Sequence, residues 1–272
     1  MVNGFVATSL TEALTAMATG SFTPYIGGTD LMVEQKQGAN YLFLHRVPQM
    51  KQIIEDEQYL RLGASCTFTE VLQNTKTHPL LKQSIRELAA PAIRNLGTLG
   101  GNIGNGSAKA DTVLIFFVTD SHLRIASVRG ERIVPIKKFY KGRKMLDLAP
   151  DELIVEVLMP KDLPSSWYYK KIGARKALAI SRIAFAAMMD IEGGIIKSCA
   201  TGFGAVSAMV IRRPDFDAML EGKTIEEAKE AKNAYLDAYR SILNPIEGRV
   251  SAEYRKTVCM NLLSDFLDQN GI

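Results

Sequence analysis

The order of apolar and polar positions divides the chain into short strands and amphipathic helices separated by turn residues. In "SLTEALTAMATG", Leu10, Leu14 and Met17 recur at helical spacing, Ser9 or Thr11 is placed to cap the start, and Gly20 stops the run. "TPYI" reads as a short buried strand, and "DLMVEQKQG" as a helix that Asp30 caps and Gly38 ends. "YLFLHRV" and "YLRLGASC" read as strands with a turn in the acidic stretch "IEDEQ" between them. "LLKQSIRELAA" is helical, and Pro91 follows its end. Residues 95–110 are dominated by Gly, Asn, Ser and Thr, which cannot build a core, so they read as a loop that the flanking apolar segments favour ordering. The run "VLIFFVTD" fits a buried strand and a buried helix equally well.

Downstream, "HLRIASVRG" and "RIVPI" read as a hairpin-like pair, and "DELIVEVLMP" as a strand that Pro160 closes. "KDLPSSW", with two turn signals, is the expected domain boundary. Beyond it, "SRIAFAAMMDI", the turn "EGG" and "IIKSCATGFGAV" form an antiparallel hairpin. Two long helices follow, and Tyr254, Val258, Leu262 and Phe266 make an apolar stripe expected to face the core.

Composition narrows the function classes. A chain of 272 residues with 47% hydrophobic content is long enough for one large domain or two modest ones with a sizeable core. Its 33 basic and 29 acidic residues are interspersed, so a net charge of +4 gives little support to a nucleic-acid or membrane partner. The longest apolar run, Val113 to Val118, cannot span a bilayer. The amino terminus lacks the pattern of a secretion signal, which makes the cytoplasm the expected compartment. Cys66, Cys199 and Cys259 are scattered, and His45, His78 and His122 show no ligand spacing, so neither a disulfide framework nor an iron–sulfur or other metal site is expected.

The chemistry concentrates in two glycine turns, "IGGTD" and "TLGGN". A strand that ends in Gly-Gly before a helix leaves backbone N–H groups for an anion, and Gly27 and Gly28 let the backbone approach it without a Cβ in the way. Thr29 adds a hydroxyl donor. A second such turn points to a ligand with two phosphates. Asn102 and Asn105 carry amides suited to a diphosphate or a polyol, and Asp111 is an acceptor for hydroxyl groups or a cap for the run that follows. Diphosphate plus polyhydroxyl chain describes a flavin dinucleotide.

These residues resemble the FAD-binding subunits and domains of the molybdenum hydroxylases, the xanthine dehydrogenase and carbon monoxide dehydrogenase group. Gly27, Gly28, Thr29, Asp30 and Leu31 match that family's first loop, and Thr98, Leu99, Gly100, Gly101, Asn102 and Asp111 its second. The likeness continues through "APAIRNLGTLGG", "VPIKKFYKG" and "DELIVEVLMP" and covers nearly the whole chain. It implies an α+β architecture: a two-part FAD-binding domain of the PCMH (vanillyl-alcohol-oxidase-like) type over 1–162, in subdomains of about 1–50 and 51–162, then a smaller α+β domain over 163–272 with a short antiparallel sheet and helices.

The resemblance further implies that Tyr25 and Ile26 give backbone to the diphosphate turn, that Ala89 and Val155 lie near the flavin or adenine end, and that Lys171 stands near the flavin ring. Implied partners are a molybdenum-cofactor subunit and a 2Fe-2S subunit in a dimer of heterotrimers, with NAD as acceptor. Ala108 replaces a frequent proline, and Ala179 a frequent Asp. Two other readings remain open. A self-contained flavin reductase or oxidase needs a proton donor, for which only Ser65, Tyr168 and Glu156 offer the residue type. A nucleic-acid module would centre on "KKFYKGRK", Lys137 to Lys144.

Overall fold

The computed structural model describes residues 3–34, 38–175, 178–248 and 250–272. In chain order the elements are β1 (Asn3–Val6), α1 (Leu10–Ala18), β2 (Thr23–Tyr25), α2 (Leu31–Glu34), β3 (Asn40–Phe43), β4 (Ile53–Glu55), β5 (Tyr59–Gly63), α3 (Phe68–Gln73), α4 (Pro79–Arg86), α5 (Pro91–Arg94), α6 (Leu99–Gly104) and α7 (Asp111–Val118). They continue with β6 (His122–Ser127), β7 (Gly130–Pro135), α8 (Ile136–Phe139), β8 (Tyr140–Gly142), β9 (Met145–Leu146), β10 (Leu153–Pro160), β11 (Ser166–Ile172), β12 (Ile183–Glu192), β13 (Ile195–Gly204), β14 (Ile211–Arg212), α9 (Pro214–Asp217), α10 (Ile225–Ile242) and α11 (Ala252–Gln269). Two compact units result: Met1–Ser107 with Asp120–Lys161, and Ala108–Thr119 with Asp162–Ile272.

Among the described residues, the first unit holds two larger sheets and the two-stranded β8–β9 ribbon. A small parallel one runs in the order β1-β3-β2, and an antiparallel five-stranded one in the order β4-β5-β10-β6-β7. β10 is central, and Leu153 to Met159 are buried throughout, as a strand covered on both faces requires. Its one acidic residue, Glu156, is held by Arg61 and Arg124, so the buried carboxylate is paired. "YLFLHRV" and "YLRLGASC" go to different sheets: β3 pairs with β1 and β2, whereas β5 takes β4 as its hairpin partner. α1 starts at Ser9, whose hydroxyl accepts from the Glu12 N–H, and turns Ala13, Ala16 and Met17 inward. α2 is described to Glu34; the rest of the expected helix, 35–37, lies outside the described residues.

The second unit has three layers. β11-β12-β13-β14 form an antiparallel sheet. Ile183, Phe185, Ala187 and Met189 of β12 point into a core completed by Cys259, Leu263, Phe266 and Leu267 of α11 and Tyr235 and Tyr239 of α10. Side chains alternate along a strand, so the opposite face presents Ala184 and Ala186. There α7 packs: Gly202 and Gly204 of β13 leave room for its Leu114 and Val118. The ambiguous run is thus a helix, with all eight residues buried. In α11 the stripe departs from expectation at its start, since Tyr254 is exposed while Cys259, Met260 and Leu263 join the buried face. Among the described residues, no helix is long and apolar enough to cross a membrane.

Candidate functional site

The two glycine turns meet in the first unit. The β2–α2 turn approaches the α5–α6 turn so closely that a Cβ built on Gly27 would overlap the Leu96 carbonyl. Gly28 has φ +67°, a left-handed conformation, and the Tyr25 phenol lies where its Cβ would be. Tyr25 is fixed in turn by edge contacts with Phe43 and Tyr41, at 4.9 and 5.4 Å between ring centroids. Asn105 Nδ2 donates to Asp30 Oδ2 at 2.5 Å and ties one turn to the other. The Asp30 side chain therefore serves the second turn, while its carbonyl accepts from Val33 and Glu34 in α2.

Between the turns lies a cavity of about 470 Å³. Ile26, Gly27, Gly28, Thr29, Asp30 and Leu31 line it from one side, and Thr98, Gly101, Asn102 and Asn105 from the other. The second set belongs to α6, a helix where the composition pointed to a loop. Thr98 caps it by accepting from the Gly101 N–H at 3.2 Å, and Leu99, Gly100 and Ile103 are buried against the unit's core. Thr98, Gly101, Asn102 and Asn105 are spaced i, i+3, i+4 and i+7, which places them on one helical face. Gly100 faces inward, where a Cβ would come within 2.7 Å of Ala64 Cβ. Gly101 faces the cavity, and a Cβ there would meet only Thr98 Oγ1, at 3.1 Å.

The turns differ in the donors they offer. Around the start of α6 the N–H groups are engaged: Leu99 donates to the Cys66 carbonyl, Gly100 to Ala64, Gly101 to Thr98 Oγ1 and Asn102 to the Thr98 carbonyl. Around the start of α2, no group among the described residues accepts from the N–H of Gly27, Gly28, Thr29, Asp30 or Leu31. Unpaired backbone donors beside a cavity fit an anion, and a face opened by Gly101 lets a ligand lie against the backbone. The residues present therefore fit a phosphate-bearing cofactor, with the first turn giving backbone donors and the second giving a capped helix face with amide side chains.

Ala89 has φ +48°, and its carbonyl accepts from Arg94 Nη1 at 2.7 Å. Val155 is fully buried, and its carbonyl takes the Ala64 N–H at 2.8 Å; its neighbours Leu153 and Ile154 line the cavity. Asp111 and Lys171 belong to the second unit and pair with each other at 2.7 Å, their side chains 6% and 8% exposed. Ser181 Oγ donates to the other Asp111 oxygen at 2.5 Å. Ala110 holds the cap position of α7, so Asp111 is its first helical residue.

Sequence reasoning did not single out Glu34, Lys144, Leu148, Glu152, Leu153 or Ile154 as cavity residues. Glu34 follows directly from the first turn along α2, whereas the others arrive through long-range packing, with Lys144 in the two-residue turn that joins β8 to β9. The proton-donor candidates are otherwise engaged: Tyr168 donates to Asp265 at 2.7 Å, Glu156 is held by two arginines, and Ser65 is buried against the Leu44 carbonyl. In "KKFYKGRK", Phe139 and Tyr140 are buried and unavailable for stacking on bases. Burial pushes the Cys66 and Cys259 thiols up to about 12, which keeps them protonated and unreactive at neutral pH.

Comparison with known proteins makes the class of this chain that of a flavin-dinucleotide-binding protein. The family model described as "FAD binding domain in molybdopterin dehydrogenase" matches residues 1–162, and that described as "CO dehydrogenase flavoprotein C-terminal domain" matches residues 167–270. The chain belongs to the FAD-binding subunits of the molybdenum hydroxylase family, as an oxidoreductase subunit with FAD as its cofactor. It is 30% identical over 218 residues to the xanthine dehydrogenase FAD-binding subunit of Escherichia coli O157:H7, covering 76% of this chain and 74% of that one. It is 26% identical over 251 residues to the carbon monoxide dehydrogenase medium chain of Hydrogenophaga pseudoflava, covering 89% and 86%. Among solved structures, carbon monoxide dehydrogenase from Hydrogenophaga pseudoflava shares the fold with a TM-score of 0.90 at 24% identity, over 98% of this chain and 96% of that chain. Quinoline 2-oxidoreductase from Pseudomonas putida 86 does so with a TM-score of 0.87 at 23% identity, over 99% and 98%.

Proposed function

We propose that this chain is the electron-transfer flavin subunit of a xanthine dehydrogenase-like assembly, and that it holds FAD between Ile26–Leu31 and Thr98–Asn105. The observation that carries the site is the row of unpaired backbone N–H groups from Gly27 to Leu31, facing a helix whose exposed side is cleared by Gly101. In this reading the first turn binds the diphosphate, and Asn102 and Asn105 orient it. FAD, when bound, supplies the redox chemistry, so this chain provides binding, orientation and electrostatics and needs no acid or base of its own. Electrons would come from 2Fe-2S clusters in a partner chain, after substrate oxidation in a molybdenum-cofactor chain, and leave to NAD.

The engagement of Ser65, Tyr168 and Glu156 within the protein favours this reading over a self-contained reductase. The purified chain is expected to be stoichiometrically yellow and to oxidise neither purine nor aldehyde alone. Gly101→Leu, which fills the open face, is expected to purify without flavin while keeping the wild-type circular dichroism spectrum. Retained stoichiometric flavin in that variant would remove the site. Assembly with molybdenum-cofactor and 2Fe-2S partner chains, followed by xanthine-dependent reduction of NAD, tests substrate and acceptor.

A further inference from the structure

We propose that Lys144 is the cation that neutralises the cofactor's diphosphate, and that Glu34 holds it at the cavity rim until the ligand enters. This rests on the assignment of the cavity to FAD. Three carboxylates line the cavity, those of Asp30, Glu34 and Glu152, and among the described residues Lys144 is the one cation that lines it. Glu152 is neutralised by Arg132, which donates to both of its oxygens. Asp30 accepts from the uncharged amide of Asn105. The backbone donors of the first turn carry only partial charge, so Asp30 and Glu34 leave a diphosphate here facing net negative side-chain charge that Lys144 is placed to offset.

The lysine is placed to turn. Its Nζ stands 3.9 Å from Glu34 Oε1, and the two side chains are 63% and 43% exposed, a loose pair of the kind that contributes little to stability. That contact is too long for a hydrogen bond, so exchanging it for charge-assisted hydrogen bonds to phosphate oxygens is favourable. The backbone at its base is held: Lys144 N–H donates to the Gly106 carbonyl at 3.3 Å, two residues past the end of α6. Lys144 also has φ +55° at the second position of the turn between β8 and β9. Asn or Gly adopts that conformation more easily than Lys, so the residue type at this position follows from its side chain rather than from the turn.

The test is titration of the full-length, flavin-freed chain with FAD at several salt concentrations, followed by flavin fluorescence. Lys144→Asn removes the charge and suits the left-handed backbone, so the fold is retained. It is expected to weaken FAD binding about tenfold at low salt, the size of one charge-assisted contact at an exposed position, and to flatten the salt dependence. Lys144→Arg should restore most of the affinity. Glu34→Gln should tighten FAD binding severalfold, and by less in the Lys144→Asn background. Riboflavin, which lacks the phosphates, should bind wild type and Lys144→Asn alike. Equal FAD affinity and equal salt dependence in wild type and Lys144→Asn, or an equal loss for riboflavin, overturns the role of Lys144 and leaves the FAD assignment standing. Failure of the wild-type chain to take up FAD, or its retention by Gly101→Leu, overturns the assignment and this inference together.

Discussion

Four glycines at the meeting of the two turns do different work, and this sets opposite expectations for the same substitution. Gly27→Ala drives a Cβ into the Leu96 carbonyl, a backbone atom that cannot move aside, so a destabilisation of about 2 kcal/mol and loss of flavin are expected. Gly101→Ala meets only the Thr98 cap hydroxyl, at 3.1 Å, whose shift of a few tenths of an ångström is set against a gain of up to about 1 kcal/mol of helix propensity. The flavin-free protein should then melt no lower than wild type while FAD binds more weakly, and thermal melts with and without FAD separate the two variants. Thr98→Ala removes the cap of α6 and should cost about 1 kcal/mol in flavin-free protein. The sequence shows that glycines cluster here, but not which of them serves packing. That depends on Leu96, Tyr25 and Ala64, which the fold brings in from other elements.

Elements with strong local signals were legible: the hairpins β6–β7 and β12–β13, the central strand β10, and the helices α10 and α11. Those set by distant partners were not. β1 is four exposed residues made a strand by pairing with β3, and β4 exists through its register with β5. α6 contains three glycines in six residues, and becomes helical through a Thr98 cap and burial of Leu99 and Ile103 rather than propensity. The cavity wall between β9 and β10 has its own electrostatic brace. Arg132 bonds both Glu152 and Asp147, and these hydrogen bonds hold both carboxyls below their ordinary values of 4.5 and 3.8. A depressed carboxylate stabilises the fold above its unfolded pKa and loses that contribution as pH falls through the folded value. Arg132→Met should therefore melt below wild type at neutral pH, and the gap should close below about pH 4. A gap constant with pH would argue against the brace.

At the scale of the molecule, neither unit is one contiguous stretch, because α7 is encoded between parts of the first unit and buried in the second. A fragment covering 1–162 would carry α7 without the β12–β13 face it packs on, and should bind the dye ANS strongly and aggregate. A fragment of 163–272 fused to residues 108–119 should be better behaved than 163–272 alone, which soluble yield and melting cooperativity can check. The same arrangement reaches into biosynthesis. α7 ends at Val118, and its packing partners in β13 finish at Gly204, about 85 residues later. At roughly 5 to 20 residues per second, a ribosome leaves this apolar segment unsheltered for about 4 to 17 s. Slowed translation upstream of β13, or depletion of ribosome-associated chaperones, should therefore lower the yield of this chain more than that of a protein whose buried helices find their strands at once.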